Sequence, residues 1–61
     1  MKVKVDTCWG GKDEYQRLTL PDGSREIVRE ATWNRKAASK ALDLLERVYL
    51  IPRKSVRFQV R

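Results

Sequence analysis

One stretch of this chain, and only one, repeats its apolar residues at helical spacing. Trp33, Ala37, Ala41, Leu44, Leu45 and Val48 follow the helical period, and Ala38, Leu42 and Tyr49 widen the stripe on one flank. Ser39, Asp43 and Glu46 fall on the opposite side, so the stretch reads as an amphipathic helix with one buried face. Its residues are mostly good helix formers. Thr32 is a candidate N-cap, because its hydroxyl can accept an orphan amide proton, and Pro52 ends the pattern.

The rest of the chain alternates. In residues 2–9 (KVKVDTCW), Val3, Val5, Thr7 and Trp9 fall on one side and Lys2, Lys4, Asp6 and Cys8 on the other. Residues 10–13 read as a loop. Residues 15–20 (YQRLTL) turn Leu18 and Leu20 inward and Tyr15, Arg17 and Thr19 outward. Pro21-Asp22-Gly23 is a turn signal, since Pro presets φ and Gly accepts φ > 0. Residues 24–30 (SREIVRE) return as a charged edge strand. Residues 55–61 (SVRFQVR) alternate again, with Val56, Phe58 and Val60 inward.

The element order is therefore β-β-β-α-β, an α+β fold. At 61 residues the chain has room for one core, so residues 1–61 read as a single small domain. Three strands form an antiparallel meander, and the helix crosses one sheet face to a fourth strand parallel to the first. The more apolar first strand suits a central place, which gives a four-stranded mixed sheet of order 3-2-1-4. The expected core is Val3, Val5, Trp9, Leu18, Leu20, Trp33, Ala37, Ala41, Leu44, Leu45, Val48, Val56, Phe58 and Val60.

Composition narrows the chemistry. The chain has no His and one Cys, which removes His-dependent triads, mixed Cys/His zinc sites and an internal disulfide. So small a core leaves little room for a pocket. The expectation is a non-enzymatic protein without cofactor or metal. The lone Cys8 points to a reducing compartment. The charged start MKVKVDT has no signal-peptide apolar region, and no apolar run approaches the roughly 20 residues of a membrane span. A cytoplasmic protein with no membrane partner is expected.

Fourteen Lys and Arg against eight Asp and Glu give a net charge of +6. Residues 1–30 are neutral, with six basic and six acidic groups, whereas residues 31–61 hold eight basic groups and only Asp43 and Glu46. Such asymmetry can attract an anionic partner. One helix covers one face of the sheet, so the other meets water or a partner. Its outward positions are Lys2, Lys4, Asp6, Tyr15, Arg17, Thr19, Arg57, Gln59 and Arg61. A three-residue loop at Pro21-Asp22-Gly23 adds Arg25, Ile27 and Arg29 to them. A four-residue loop adds Glu26, Val28 and Glu30 instead, because a one-residue slip flips the strand. The glycine placement favours the shorter loop.

A basic sheet face with an aromatic side chain suits nucleic acid, where Lys and Arg neutralise phosphates and a strand ribbon can enter the major groove. The competing expectation is a protein-interaction module that lends an edge strand to a partner. Oligomeric state stays open. Arg35 and Lys36 stand in the first helical turn, where the dipole prefers negative charge, and with the free amides there they form a candidate anion-binding site.

The stretch RLTLPDGSREIVREATWNRKAASKALDLLERV resembles the arm-type DNA-binding domain at the N-terminus of phage tyrosine recombinases. Leu20-Pro21-Asp22-Gly23, Thr32, Ala37, Ala38 and Leu42 carry the likeness, which covers about half of the chain and leaves VRFQVR outside it. That family has three antiparallel strands and a packing helix and binds DNA through the sheet face opposite the helix. The resemblance implies Arg17, Thr19, Arg25 and Arg29 as contact positions.

Overall fold

A computed structural model describes residues 1–60 of the chain. The elements are β1 (Lys2–Gly10), β2 (Asp13–Thr19), β3 (Arg25–Val28), α1 (Arg35–Tyr49), a single 3-10 turn (Arg53–Ser55) and β4 (Arg57–Val60). The strands make one mixed sheet of order β3-β2-β1-β4, antiparallel through the meander and parallel between β1 and β4. This is the expected α+β architecture and strand order.

Two tight turns set how the strands meet. Gly10 pairs with Asp13, so only Gly11 and Lys12 lie between β1 and β2. Gly11 has φ 66°, which a two-residue hairpin turn demands. The loop expected over residues 10–13 is therefore shorter, and both strands run further toward the tip. At the second turn, the Leu20 amide donates to the Ser24 carbonyl (2.8 Å) and the Gly23 amide to the Leu20 carbonyl (3.0 Å). Gly23 sits at φ 93°, and the Asp22 carboxylate accepts from the Ser24 amide at 2.9 Å. Pro21-Asp22-Gly23 is thus the three-residue loop, and Thr19 faces Arg25 while Arg17 faces Ile27.

The core lies between α1 and the inner sheet face. Val3, Val5, Leu18, Leu20, Val28, Ala37, Ala41 and Leu45 are buried, with Trp33, Leu44, Val56 and Phe58 packed around them. The ring centroids of Trp33 and Phe58 are 4.8 Å apart, edge to face. Three expected core residues are outside: Trp9 is 75% exposed, Val48 59% and Val60 52%. For Trp9 the reason is reach. A helix of 15 residues is about 22 Å long, whereas the nine residues of β1 extend about 30 Å. The β1–β2 hairpin outruns the helix, so Trp9 alternates inward but meets no cover. The helix is also tied toward β3, where the Tyr49 hydroxyl donates to Glu26 at 2.7 Å, and this leaves Val60 on the far edge strand open.

Gln16 is the one buried polar side chain among the described residues. Its Nε2 donates to the Glu30 carbonyl (3.1 Å), and its Oε1 accepts from the Thr7 hydroxyl (2.9 Å). It thereby joins β1, β2 and the connection into α1, and it satisfies a carbonyl that burial would otherwise penalise.

The cap of α1 is Asn34, not Thr32. The Asn34 Oδ1 accepts from the Ala37 amide at 2.8 Å, while the Thr32 hydroxyl accepts from the Asn34 side chain at 3.4 Å. Starting the helix after Trp33 leaves the indole free to reach Phe58. Asn34→Ala is expected to destabilise the fold by about 1 kcal/mol, the usual cost of a lost N-cap. Thr32→Ala should cost clearly less, and urea denaturation of the two variants checks the order. At the other end Leu50 takes a left-handed conformation (φ 57°), the Ile51 amide returns to the Leu45 carbonyl at 3.1 Å, and Pro52 prevents continuation.

Ion pairs bind the helix side. Lys40 Nζ lies 2.6 Å from Glu30, and Arg53 pairs with Asp43 and, at 3.7 Å, with Glu46. The hydrogen bond from Lys40 and the nearby charges of Lys40 and Lys36 hold the Glu30 carboxyl below its ordinary range; backbone and side-chain hydrogen bonds from Ser24 do the same to Asp22. A carboxyl with a lowered folded-state pKa stabilises at neutral pH, and that contribution is lost as pH falls through the folded value. Acidification below the usual carboxylate range should therefore lower the melting temperature. Lys40→Met should make the loss shallower, as read by thermal melts at pH 7 and pH 3.

Candidate nucleic-acid interface

Alternation and register assign the outward side chains of the sheet to rows. Arg25, Thr19, Lys4 and Gln59 form one row across all four strands. Ile27, Arg17 and Asp6 form the next, and Tyr15 faces Cys8 beyond it. Lys2 and Arg57 are paired at the opposite end. Arg29 follows β3 at a one-residue turn, where the Glu30 amide donates to the Val28 carbonyl at 2.9 Å. It lines the same depression as Ile27 and Tyr15.

The expected contact residues Lys2, Lys4, Arg17, Thr19, Arg25, Arg29 and Arg57 thus share the face that α1 leaves uncovered. Arg61, expected with them, lies outside the described residues. Lys2, Lys4, Arg25, Arg29 and Arg57 are exposed, and Arg17 and Thr19 are half-buried. Arg17 is held 3.6 Å from Asp6, and its Nε is buried without a hydrogen-bond partner among the described residues. One residue the alternation of 15–20 did not reach is Asp13. The longer β2 brings it to the hairpin tip on the open face, so six basic groups there stand against Asp6 and Asp13.

Of the six other acids, Glu14 lines the depression beside Tyr15 and Arg29, and five are engaged elsewhere. Glu26 is engaged by Tyr49, Glu30 by Lys40, Asp43 and Glu46 by Arg53, and Asp22 by its own turn. None of these five sits among the outward positions of the sheet, so the acids at the described outward positions are Asp6, 3.6 Å from Arg17, and Asp13.

Two shallow depressions mark the face. One of about 540 Å³ lies by Tyr15, Ile27, Arg29 and Asp13, and one of about 420 Å³ lies by Lys2, Lys4, Thr19 and Gln59. The Tyr15 ring rests against Gly10, where a Cβ would stand 2.7 Å from its Cε1. Glycine at the strand end therefore lets the ring lie down on the sheet, a detail that alternation does not reveal.

Arg35 and Lys36 are exposed in the first turn of α1, away from the open face. Asn34 caps the Ala37 amide there, and the Glu30 carboxylate lies within the influence of Lys36 and Lys40, so the chain supplies an anion of its own. No group of residues among those described can hold a metal ion, and no helix among them is long and apolar enough to cross a membrane. Compared with protein-family models, curated proteins and solved structures, the chain matches none.

Proposed function

We propose that this protein is a small nucleic-acid-binding module that acts through its open sheet face. One observation carries the reading. The three-residue loop at Pro21-Asp22-Gly23 places Arg25 and Ile27 beside Arg17, Thr19 and Lys4, rather than Glu26 and Val28. The face left free by the helix then carries a basic residue in every strand, while most of the acids are engaged elsewhere. Cations spread over a sheet match the regular charge of a phosphate backbone, and no bound cofactor or reacting group is needed for that task. The resemblance of residues 17–48 to arm-type domains points the same way, toward DNA.

The protein-interaction reading has less support. β3, the charged edge strand, has four residues and offers few backbone groups for an added strand. The experiment is a fluorescence-anisotropy titration of labelled duplex and single-stranded oligonucleotides at 50 and 200 mM salt, with light scattering alongside. Saturable, salt-sensitive binding is expected. Absence of binding at the lower salt, with a defined dimer or protein complex instead, overturns the reading.

A further inference from the structure

The larger depression of the open face gathers side chains that the fold leaves unengaged. Asp13, Glu14, Tyr15, Ile27 and Arg29 line it, around a space of about 540 Å³. That volume falls within the range of small-molecule sites, roughly 300–1,000 Å³. The other six acids each have a partner. Asp6 has Arg17, Asp22 has its own turn, and the rest have Tyr49, Lys40 or Arg53. Asp13 and Glu14 are the two acids whose carboxylates make no hydrogen bond or ion pair among the described residues, and both line this hollow. Neither the Arg29 guanidinium nor the Tyr15 hydroxyl has such a partner. Two carboxylates, a guanidinium and a phenol thus share one space without engaging each other.

The aromatic ring is held in place. Tyr15 lies against Gly10, where a Cβ would come within 2.7 Å of its Cε1 and 3.2 Å of its Cδ1, and the ring still lines the hollow. Arg29 follows Val28, the ladder partner of Gln16, which brings it beside Tyr15. Asp13 precedes Tyr15 by two residues on the same side of β2, about 7 Å along the strand.

This mixture of charge selects a ligand. Asp13 and Glu14 repel phosphate, so the hollow does not simply extend the cationic surface. An unpaired base stacks on an aromatic ring and displays its hydrogen-bonding edges. Guanine is the base whose edges match. Its N1–H and N2–H₂ donate side by side to one carboxylate, and its O6 and N7 accept from one guanidinium. In a duplex the N1–H is committed to cytosine, so the match needs a single strand.

We propose that this hollow is a slot for an unpaired guanine, with the base on Tyr15, its N1–H and N2–H₂ donating to Asp13, and its O6 or N7 accepting from Arg29. The inference rests on the reading of the open face as a nucleic-acid interface and adds a base preference and a strandedness. In a duplex, or in a strand without guanine, Arg29 stays free for a phosphate.

The test is fluorescence anisotropy at 50 mM salt with a short oligo-dT strand, the same strand with one central dG, the same with deoxyinosine in place of dG, and the dT and dG strands annealed to their complements. One dG should tighten single-strand binding by about tenfold, the order of one good bidentate pair. Deoxyinosine, which lacks the 2-amino group, should keep a small part of that gain, and pairing the dG in a duplex should abolish it. Asp13→Asn should bind oligo-dT at least as tightly as wild type, because a charge that repels phosphate is gone, and should show no preference for dG; circular dichroism checks its fold. Equal wild-type affinity for the dT, dG and deoxyinosine strands overturns the inference. So does a guanine preference that survives in Asp13→Asn, one of the same size in the duplexes, or binding of duplexes alone. In these outcomes the open face remains a nucleic-acid interface. Binding to no strand and no duplex overturns both.

Discussion

Raising the salt from 50 to 200 mM is expected to weaken DNA binding by about 40-fold if the open face neutralises three phosphates, and by about 2,000-fold if it neutralises six. The estimate follows from counterion release, in which each phosphate contact steepens the logarithmic salt slope by about 0.9. Lys2, Lys4 and Arg57 form the lower set; Arg17, Arg25 and Arg29 complete the upper one. Replacing Lys4 and Arg57 together by Ala should make the slope shallower by about 2 and weaken binding at 50 mM. Both residues are exposed, so the fold should change in stability by no more than about 0.5 kcal/mol per site. Anisotropy titrations across four salt concentrations read the slope directly. An unchanged slope in the double variant would remove these two residues from the interface.

Leu45→Ala is expected to remove a large part of the stability of the fold. Leu45 is fully buried on the central stripe of α1, in the same core as Ala41, Leu18 and Val5. Truncating such a leucine costs about 2–5 kcal/mol, because burial is lost and a cavity remains. At about 0.05–0.15 kcal/mol per residue, a chain of 61 residues has about 3–9 kcal/mol in total. Val48, one turn beyond Leu44 on the same helix, is 59% exposed, and Val48→Ala should cost less than about 0.5 kcal/mol. Urea and thermal denaturation followed by circular dichroism separate the two. A Leu45→Ala variant that melts like wild type would contradict the packing of α1 on the sheet. DNA affinity should fall in parallel with the folded fraction, because the open face exists only when the strands are held together.

Much of the architecture is readable along the chain because alternation and helical period are local properties. Val3 and Val5, Leu18 and Leu20, and Ala37, Ala41 and Leu45 announce their buried faces through spacing alone. The cap is harder. Thr32 and Asn34 are both good capping residues, and the choice falls to Asn34 where Trp33 packs on Phe58, a contact between residues far apart in the chain. Trp9 shows the same limit. Its strand position points inward, but burial depends on the length of a helix that begins 26 residues later. Gln16 reads as an ordinary inward polar residue until the Glu30 carbonyl and the Thr7 hydroxyl arrive on either side of it.

The candidate site divides along the same line. Lys2, Lys4, Arg17 and Arg57 are outward by alternation alone, whereas Arg25 and Arg29 depended on the number of residues in a turn. The charge is where linear order misleads most. Residues 1–30 sum to zero and residues 31–61 carry the whole +6, which places the basic character in the helix and the last strand. Folding redistributes it. Five of the six described cations of the open face come from the neutral half, and only Arg57 comes from the other.

One helix, one sheet and one uncovered face follow from the residue pattern itself, since periodicity states which side of each element is apolar. The sign of that face does not. It was settled by the hairpin register at Pro21-Asp22-Gly23, and by pairings that draw Glu26, Glu30, Asp43 and Glu46 to Tyr49, Lys40 and Arg53. Electrostatic attraction acts through space, so which charges are neighbours is known only once the chain has closed on itself.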